Sequence, residues 1–150
     1  MRTIKKVIVH CSDSDFGNME IIRQWHLENG WSDIGYHYVI LNGVPEKDKS
    51  YHIERDGEIQ VGRDVTRSGA HCKGHNHSSV GICLIGRNHF SAVQLFKSLP
   101  MLLILLMNTF SLGLNDIYGH YQFDQSKTCP NLPIEDIKSM VSNINRMSSK

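Results

Sequence analysis

Apolar residues along this chain fall in short runs separated by polar and glycine-containing turns. The run VGICLI at Val80–Ile85 is uniformly apolar, which is typical of a central strand. The run KKVIVH at Lys5–His10 has the pattern of a buried strand. Two further strands are predicted at Tyr36–Asn42 and Ile117–His120. The sequence RDG at 55–57 is typical of a turn and predicts a hairpin between residues 51–54 and 58–62.

Helices are predicted between these strands. The first begins after Asn18, a favourable N-cap residue, and runs to about Asn29, where Gly30 is a stop signal. The other two span about Ala92–Phe110, with a kink near Pro100, and about Pro133–Arg146. Strands interleaved with helices predict an α/β fold in which helices flank a central mixed sheet.

Length and composition indicate one ordinary globular domain covering residues 1–150. Hydrophobic residues make up 40% of the chain, charged residues 21%, and the formal net charge is +1. No basic field therefore favours nucleic acid or an anionic membrane as a partner. The most apolar segment, Leu99–Leu114, falls short of the roughly 20 apolar residues that a membrane span needs, and it predicts a buried helix.

The N-terminal segment and the cysteines indicate where the chain is made. MRTIKKVIVHCSDSD contains no apolar stretch long enough for a signal peptide, so we expect cytoplasmic synthesis. The four cysteines are then expected to be thiols, because disulfides are disfavoured in a reducing compartment. Nine histidines are unusual in 150 residues and direct attention to metal and proton chemistry.

Three candidate metal ligands follow predicted strands or a polar loop. His10 and His120 end the first and a late strand, and Cys129 follows the loop after His120. Strand ends are where α/β sheets place their sites. Two imidazoles and a thiolate are good zinc ligands and leave a fourth position open for water, as in catalytic zinc sites. Spacing alone leaves a structural role open for each, since no short zinc signature is present.

Five motifs that occur in a fixed order favour the metal-ligand interpretation over a structural one. The stretches VIVHCSDS, IRQWHLENGWSDIGYHYVI, RDGEIQVGRD, SGAHCKGHNHSSVGICLIG and GHYQFDQSKTCPN occur in that order. Together they resemble the N-acetylmuramoyl-L-alanine amidases of the peptidoglycan-recognition-protein superfamily, and most of all the short phage-type members. The resemblance covers roughly Lys5 to Leu132.

The resemblance implies a zinc enzyme that cuts the amide bond between N-acetylmuramic acid and L-alanine in peptidoglycan. It places the zinc ligands at His10, His120 and Cys129, a tyrosine that faces the zinc at Tyr36, and a catalytic lysine at Lys127. Tyr36 and Lys127 would stabilise the tetrahedral oxyanion or pass a proton to the leaving amine.

Further positions follow from the same resemblance. His71 and Asn76 fall on the substrate side of the groove, where they would hydrogen-bond muramyl or peptide groups. Around them, AHCKGHNH could instead form a second metal site, although a polar loop lining the cleft is the favoured interpretation. Many family members carry a glutamate as general base where this chain has Cys83, and the phage type lacks it too. The identity of the general base therefore stays open.

Other functions remain as alternatives. A peptidoglycan-binding module without catalysis is one, but members that lose activity usually lack the cysteine ligand. Inhibition of an RNA polymerase, known for a phage-type member, is an additional role that no feature of this sequence identifies. We expect a monomer with peptidoglycan as its partner, acting on the cell wall after release through a pore or a secretion system. A phage endolysin is favoured over a secreted toxin or a wall-recycling enzyme.

Overall fold

Five strands and three helices make up the regular structure of the computed structural model, which describes residues 2–48 and 50–148. The strands are β1 (Lys6–Cys11), β2 (Tyr38–Asn42), β3 (Asp56–Val61), β4 (Ser79–Leu84) and β5 (Ile117–Gly119). The helices are α1 (Met19–Glu28), α2 (Leu99–Phe110) and α3 (Ile134–Ser148). The predicted α/β fold with a mixed sheet is confirmed.

The sheet has the order β3-β2-β4-β1-β5, and only the β2–β3 pair is antiparallel. All six residues of β4 are buried, as expected for a central strand covered on both faces. Because β1 lies between β4 and β5 and runs parallel to both, the carboxyl ends of these strands meet at one edge of the sheet. This edge is where chemically active side chains of an α/β sheet are expected.

Helices cover both faces of the sheet. On one face α2 and α3 pack against alternate strand residues such as Val7, Val9 and Ile82. On the other, Ile22 of α1 packs with Val39 and neighbouring apolar residues. The predicted cap of α1 is present, because the Asn18 side chain accepts a hydrogen bond of 2.9 Å from the amide of Ile21. Burial on both faces explains why the inner strands consist of apolar runs.

The segment leading into α2 is irregular. Residues Gln94–Ser98 form a π-helical turn, and Pro100 lies just beyond it, in the first turn of α2. Since proline has no amide hydrogen, it cannot complete the ordinary helical ladder, which accounts for the predicted irregularity here. The helix buries one side, whereas Met101 and Leu105 are exposed. No helix in the described part of the chain is long and apolar enough to cross a membrane.

The predicted hairpin about 55–57 is wrong in its pairing. Residues 51–54 form no strand, and β3 pairs instead with β2, across a connection that includes a short turn of helix at Ile53–Arg55. Gly57 is therefore a strand residue. A Cβ atom there would lie 2.3 Å from a methyl carbon of Val93, and its φ is +81°. The glycine thus permits close approach of the helical segment, which turn propensity alone does not reveal.

Candidate active site

The candidate ligands His10, His120 and Cys129 converge at the carboxyl edge of β1 and β5. The Nδ1 atoms of His10 and His120 are 3.1 Å apart, and Cys129 Sγ lies 3.3 Å from His120 Nδ1 and 4.0 Å from His10 Nδ1. His10 is a residue of β1, and His120 directly follows β5. The loop carrying Cys129 is held to the sheet edge by a hydrogen bond from the amide of Tyr121 to the carbonyl of Cys129.

These separations suit a single metal ion. In a tetrahedral zinc site with Zn–N of about 2.0 Å and Zn–S of about 2.3 Å, the donor atoms lie about 3.3–3.6 Å apart. The measured distances of 3.1, 3.3 and 4.0 Å bracket this range. Within the described residues, His10, His120 and Cys129 are the one group of histidine, cysteine or carboxylate side chains close enough to share a metal.

The electrostatics of the cluster favour the forms that bind metal. Burial lowers the pKa of His10, so its imidazole is neutral at pH 7. Hydrogen bonds donated to its sulfur by the Cys11 thiol and by His120 Nδ1 lower the pKa of Cys129 and favour its thiolate. Cys11, the last residue of β1, lines the same groove as Cys129.

A groove of about 750 Å³ opens above this cluster. Tyr36, His71, Asn76 and Lys127 all line it, as do His120 and Cys129. His10 is 1% exposed and lies beneath the groove. The structure therefore brings the predicted site residues, which are spread from position 10 to position 129, to one place.

Tyr36 and Lys127 occupy different environments in the groove. The ring of Tyr36 packs 5.1 Å from that of His10, measured between centroids. Burial raises the pKa of the Tyr36 phenol, so it is a neutral hydrogen-bond donor. Lys127 is exposed at the rim, in a turn closed by the hydrogen bond from its amide to the carbonyl of Asp124. One donor is thus rigidly packed, and the other is a cation on a flexible stem.

Cys83 is the position at which the resemblance to the amidases places a glutamate in many members. It is fully buried in β4 and pairs with His10 of β1, so both side chains project from the same face of the sheet. Burial raises the pKa of the Cys83 thiol, which is therefore neutral. A neutral buried thiol is not a general base, and this position supplies none in the present chain.

His71 and Asn76 have contacts that the sequence did not indicate. His71 Nδ1 lies 2.8 Å from His10 Nε2, and His71 Nε2 lies 3.2 Å from the Ser79 hydroxyl. The Asn76 side-chain oxygen accepts hydrogen bonds from the backbone amides of His71 and Cys72. Both residues line the groove, but these groups are engaged within the protein. Their predicted contacts with substrate remain predictions.

The other histidines of the 70–77 loop point to separate partners. His75 lies beside Lys6, with 3.0 Å between Nδ1 and Nζ, and stacks on Phe123. His77 is exposed and contacts the hydroxyl of Ser68. In the part of the chain that the structure describes, these side chains form no second metal cluster. The interpretation of the segment as a polar loop beside the cleft agrees with this arrangement.

Arg2 is a residue of this region that sequence reasoning missed. Its guanidinium donates to the backbone carbonyls of Val65, Asn76, His77 and Ser79 at 2.7–3.2 Å. Five donors in a fixed fork suit such a set of acceptors. The second residue of the chain thus anchors the loop that carries His71. A terminal arginine in a polar context carries no local signal for this role.

Comparison with known proteins agrees with the fold and identifies the family. The profile of the N-acetylmuramoyl-L-alanine amidase family matches residues 1–132. The endolysin of Enterobacteria phage T3 is 33% identical over 144 residues, which covers 89% of this chain and 84% of that protein. The endolysin of Escherichia phage T7 is 33% identical over 140 residues, covering 86% and 82% respectively.

A solved structure shares the architecture. An N-acetylmuramoyl-L-alanine amidase from Clostridium intestinale superposes with a TM-score of 0.78 at 27% identity, covering 94% of this chain and 87% of that one. The fold is that of a peptidoglycan amidase. The chain belongs to the N-acetylmuramoyl-L-alanine amidase family, and the predicted enzyme class is confirmed.

Proposed function

We propose that this chain hydrolyses the N-acetylmuramic acid–L-alanine amide bond with a zinc ion held by His10, His120 and Cys129. The convergence of these three donors beneath one groove is the observation that carries the proposal. When bound by three protein ligands, zinc supplies Lewis acidity and lowers the pKa of a water in the open position to about 7. Family membership supports amide hydrolysis, and the donor set supports zinc as the metal.

Tyr36 and Lys127 are proposed to stabilise charge in the reaction. As the amide carbon becomes tetrahedral, its oxygen gains negative charge and needs donors that are already in place. The Tyr36 hydroxyl stays protonated because burial raises its pKa, and it therefore donates to this oxygen or to the leaving amine. The Lys127 ammonium at the rim supplies positive charge. Each such donor typically contributes about 3–4 kcal/mol in the transition state.

A non-catalytic binding module is the weaker alternative. Such a module needs a groove but has no need of the metal donors, whereas here the cysteine ligand and both histidines are present at metal-binding separations. The buried, neutral His10 and the thiolate-favouring surroundings of Cys129 also support a loaded metal site. We therefore favour a catalytic function over a function in binding alone.

We further propose that peptidoglycan is the partner of the groove and that the biological role is that of an endolysin. The two phage endolysins support this role, since the matches cover more than four-fifths of both sequences. In that role the protein acts on the cell wall after passing through a pore formed by another protein. A monomeric state and the lack of a nucleic-acid partner are part of the same proposal.

Digestion of purified peptidoglycan, followed by mass spectrometry, tests the proposal. The wild type should release stem peptides with free L-alanine amino termini and create no new reducing sugar ends, and a chelator should abolish the reaction. Cys129→Ala should lose both activity and bound zinc. Cys72→Ala, which removes a buried cysteine outside the donor set, should keep one zinc per chain. Chelator-resistant formation of reducing ends would refute the amidase assignment.

A further inference from the structure

His71 is packed in a slot between two glycines. A Cβ atom at Gly81 of β4 would lie 2.6 Å from Cγ and Cδ2 of the His71 ring, and one at Gly69 would lie 2.6 Å from Cδ2. Neither glycine has a positive φ, so these positions require the absence of a side chain rather than unusual backbone angles. His71 is 8% exposed. An imidazole held this tightly has one orientation.

A chain of hydrogen bonds leads from this ring to the candidate metal site, and one backbone carbonyl decides all of its directions. The carbonyl of His75 can only accept, so the Ser79 hydroxyl, 2.8 Å away, donates to it. Ser79 Oγ then accepts from His71 Nε2 at 3.2 Å, which places the proton of the neutral His71 ring on Nε2. His71 Nδ1 is consequently an acceptor.

The acceptor on His71 determines the tautomer of His10. His71 Nδ1 lies 2.8 Å from His10 Nε2, so His10 donates from Nε2 and its Nδ1 carries no proton. This unprotonated Nδ1 is the atom that faces His120 and Cys129. A histidine ligand whose other ring nitrogen donates to a fixed acceptor is held in the orientation and tautomer that metal binding needs.

We propose that His71, through Ser79, is a positioning residue that holds His10 in its metal-binding tautomer and orientation, and that its ring nitrogens do not bind substrate. This inference rests on the proposed zinc site. Asn76 contributes by holding the backbone of His71, since its side-chain oxygen accepts from that amide at 2.8 Å. Arg2 contributes by binding the Ser79 carbonyl at 2.8 Å. The loop and strand that carry the chain of hydrogen bonds are thereby fixed to each other.

Zinc affinity, measured by competition with a chromophoric chelator, is the main test. His71→Phe keeps a ring but removes both nitrogens, and it should weaken zinc binding by about 10–100-fold. His71→Asn should recover most of this loss, because its side-chain oxygen replaces Nδ1 as the acceptor for His10. Ser79→Ala should give a smaller loss than His71→Phe. The KM for a muramyl peptide, measured with zinc in excess, should change little in these variants.

Two glycine variants provide a matched pair that leaves every donor and acceptor in place. Gly81→Ala should displace the His71 ring and weaken zinc binding. Gly113→Ala should not, because a Cβ there meets only a side-chain oxygen of Asp116, at 3.9 Å. Circular dichroism checks that each variant is folded. If His71→Phe binds zinc as the wild type does while its KM rises, His71 contacts substrate and the proposal is wrong.

Imidazole ¹⁵N NMR of the wild type tests the same inference without any substitution. Both His10 and His71 should carry their proton on Nε2, with and without added zinc. Detection of an Nδ1–H on His71 would overturn the proposed directions of the hydrogen bonds from Ser79 to His10. Failure of the wild type to bind zinc at all would instead refute the proposed metal centre, so the two failures are distinguishable.

Discussion

His37 is expected to make the folded state sensitive to acid. It is fully buried, its Nδ1 accepts from the amide of Gly81 at 3.0 Å, and its Nε2 lies 2.8 Å from the carbonyl of Arg67. The guanidinium of Arg2 lies 3.0 Å from the same Nε2. Burial above all, and then the nearby Arg2 charge, lowers the pKa of His37 from 6.5 to about 4.

The direction of the effect follows from where the proton binds. Below pH 6.5 the unfolded chain takes up a proton at His37, whereas the folded protein does not until about pH 4. Stability contributed by this residue is therefore complete above pH 6.5 and is lost as the pH falls towards 4. The full difference corresponds to about 3.4 kcal/mol, at about 1.36 kcal/mol per pKa unit. Between pH 7 and pH 5 the expected loss is about 2 kcal/mol.

Urea unfolding at pH 7 and pH 5 measures the loss of stability that His37 causes. The protein is kept metal-free, so that release of metal at low pH does not contribute. His37→Asn keeps an acceptor oxygen near Gly81 but removes the titrating ring. The wild type should lose free energy of unfolding when the pH falls from 7 to 5. His37→Asn should lose about 2 kcal/mol less over the same change. His89→Asn, at an exposed histidine, should follow the wild type. Equal losses in His37→Asn and the wild type would refute the reasoning.

Three further substitutions have defined outcomes. Lys127→Ala should lower kcat by roughly 10²–10³-fold while zinc stays bound, and a raised KM with normal kcat would show that Lys127 only binds substrate. Tyr36→Phe should lower kcat in the same way without unfolding the protein, because the ring contact with His10 is kept. Arg2→Lys should destabilise the protein by about 2–3 kcal/mol in urea unfolding, since an ammonium cannot reach all four carbonyls; an unchanged midpoint would contradict the anchoring role.

The sequence by itself determined the fold class and the identity of the candidate donors. Apolar runs located β1 and β4, and the cap at Asn18 located α1, because strand and helix signals are carried by neighbouring residues. The order of five motifs identified the family, and with it His10, His120 and Cys129. Local patterns and residue types are enough for conclusions of this kind.

Only the tertiary structure decided which distant groups meet. β3 pairs with β2, and Gly57 lies within β3 against Val93 rather than in a turn, so turn propensity alone predicted the wrong hairpin. The contact of His71 with His10 joins residues 61 positions apart and requires the empty space above Gly81. The directions of the hydrogen bonds in a buried network depend on every polar group within reach. The sequence does not show which groups lie within hydrogen-bonding distance of one another.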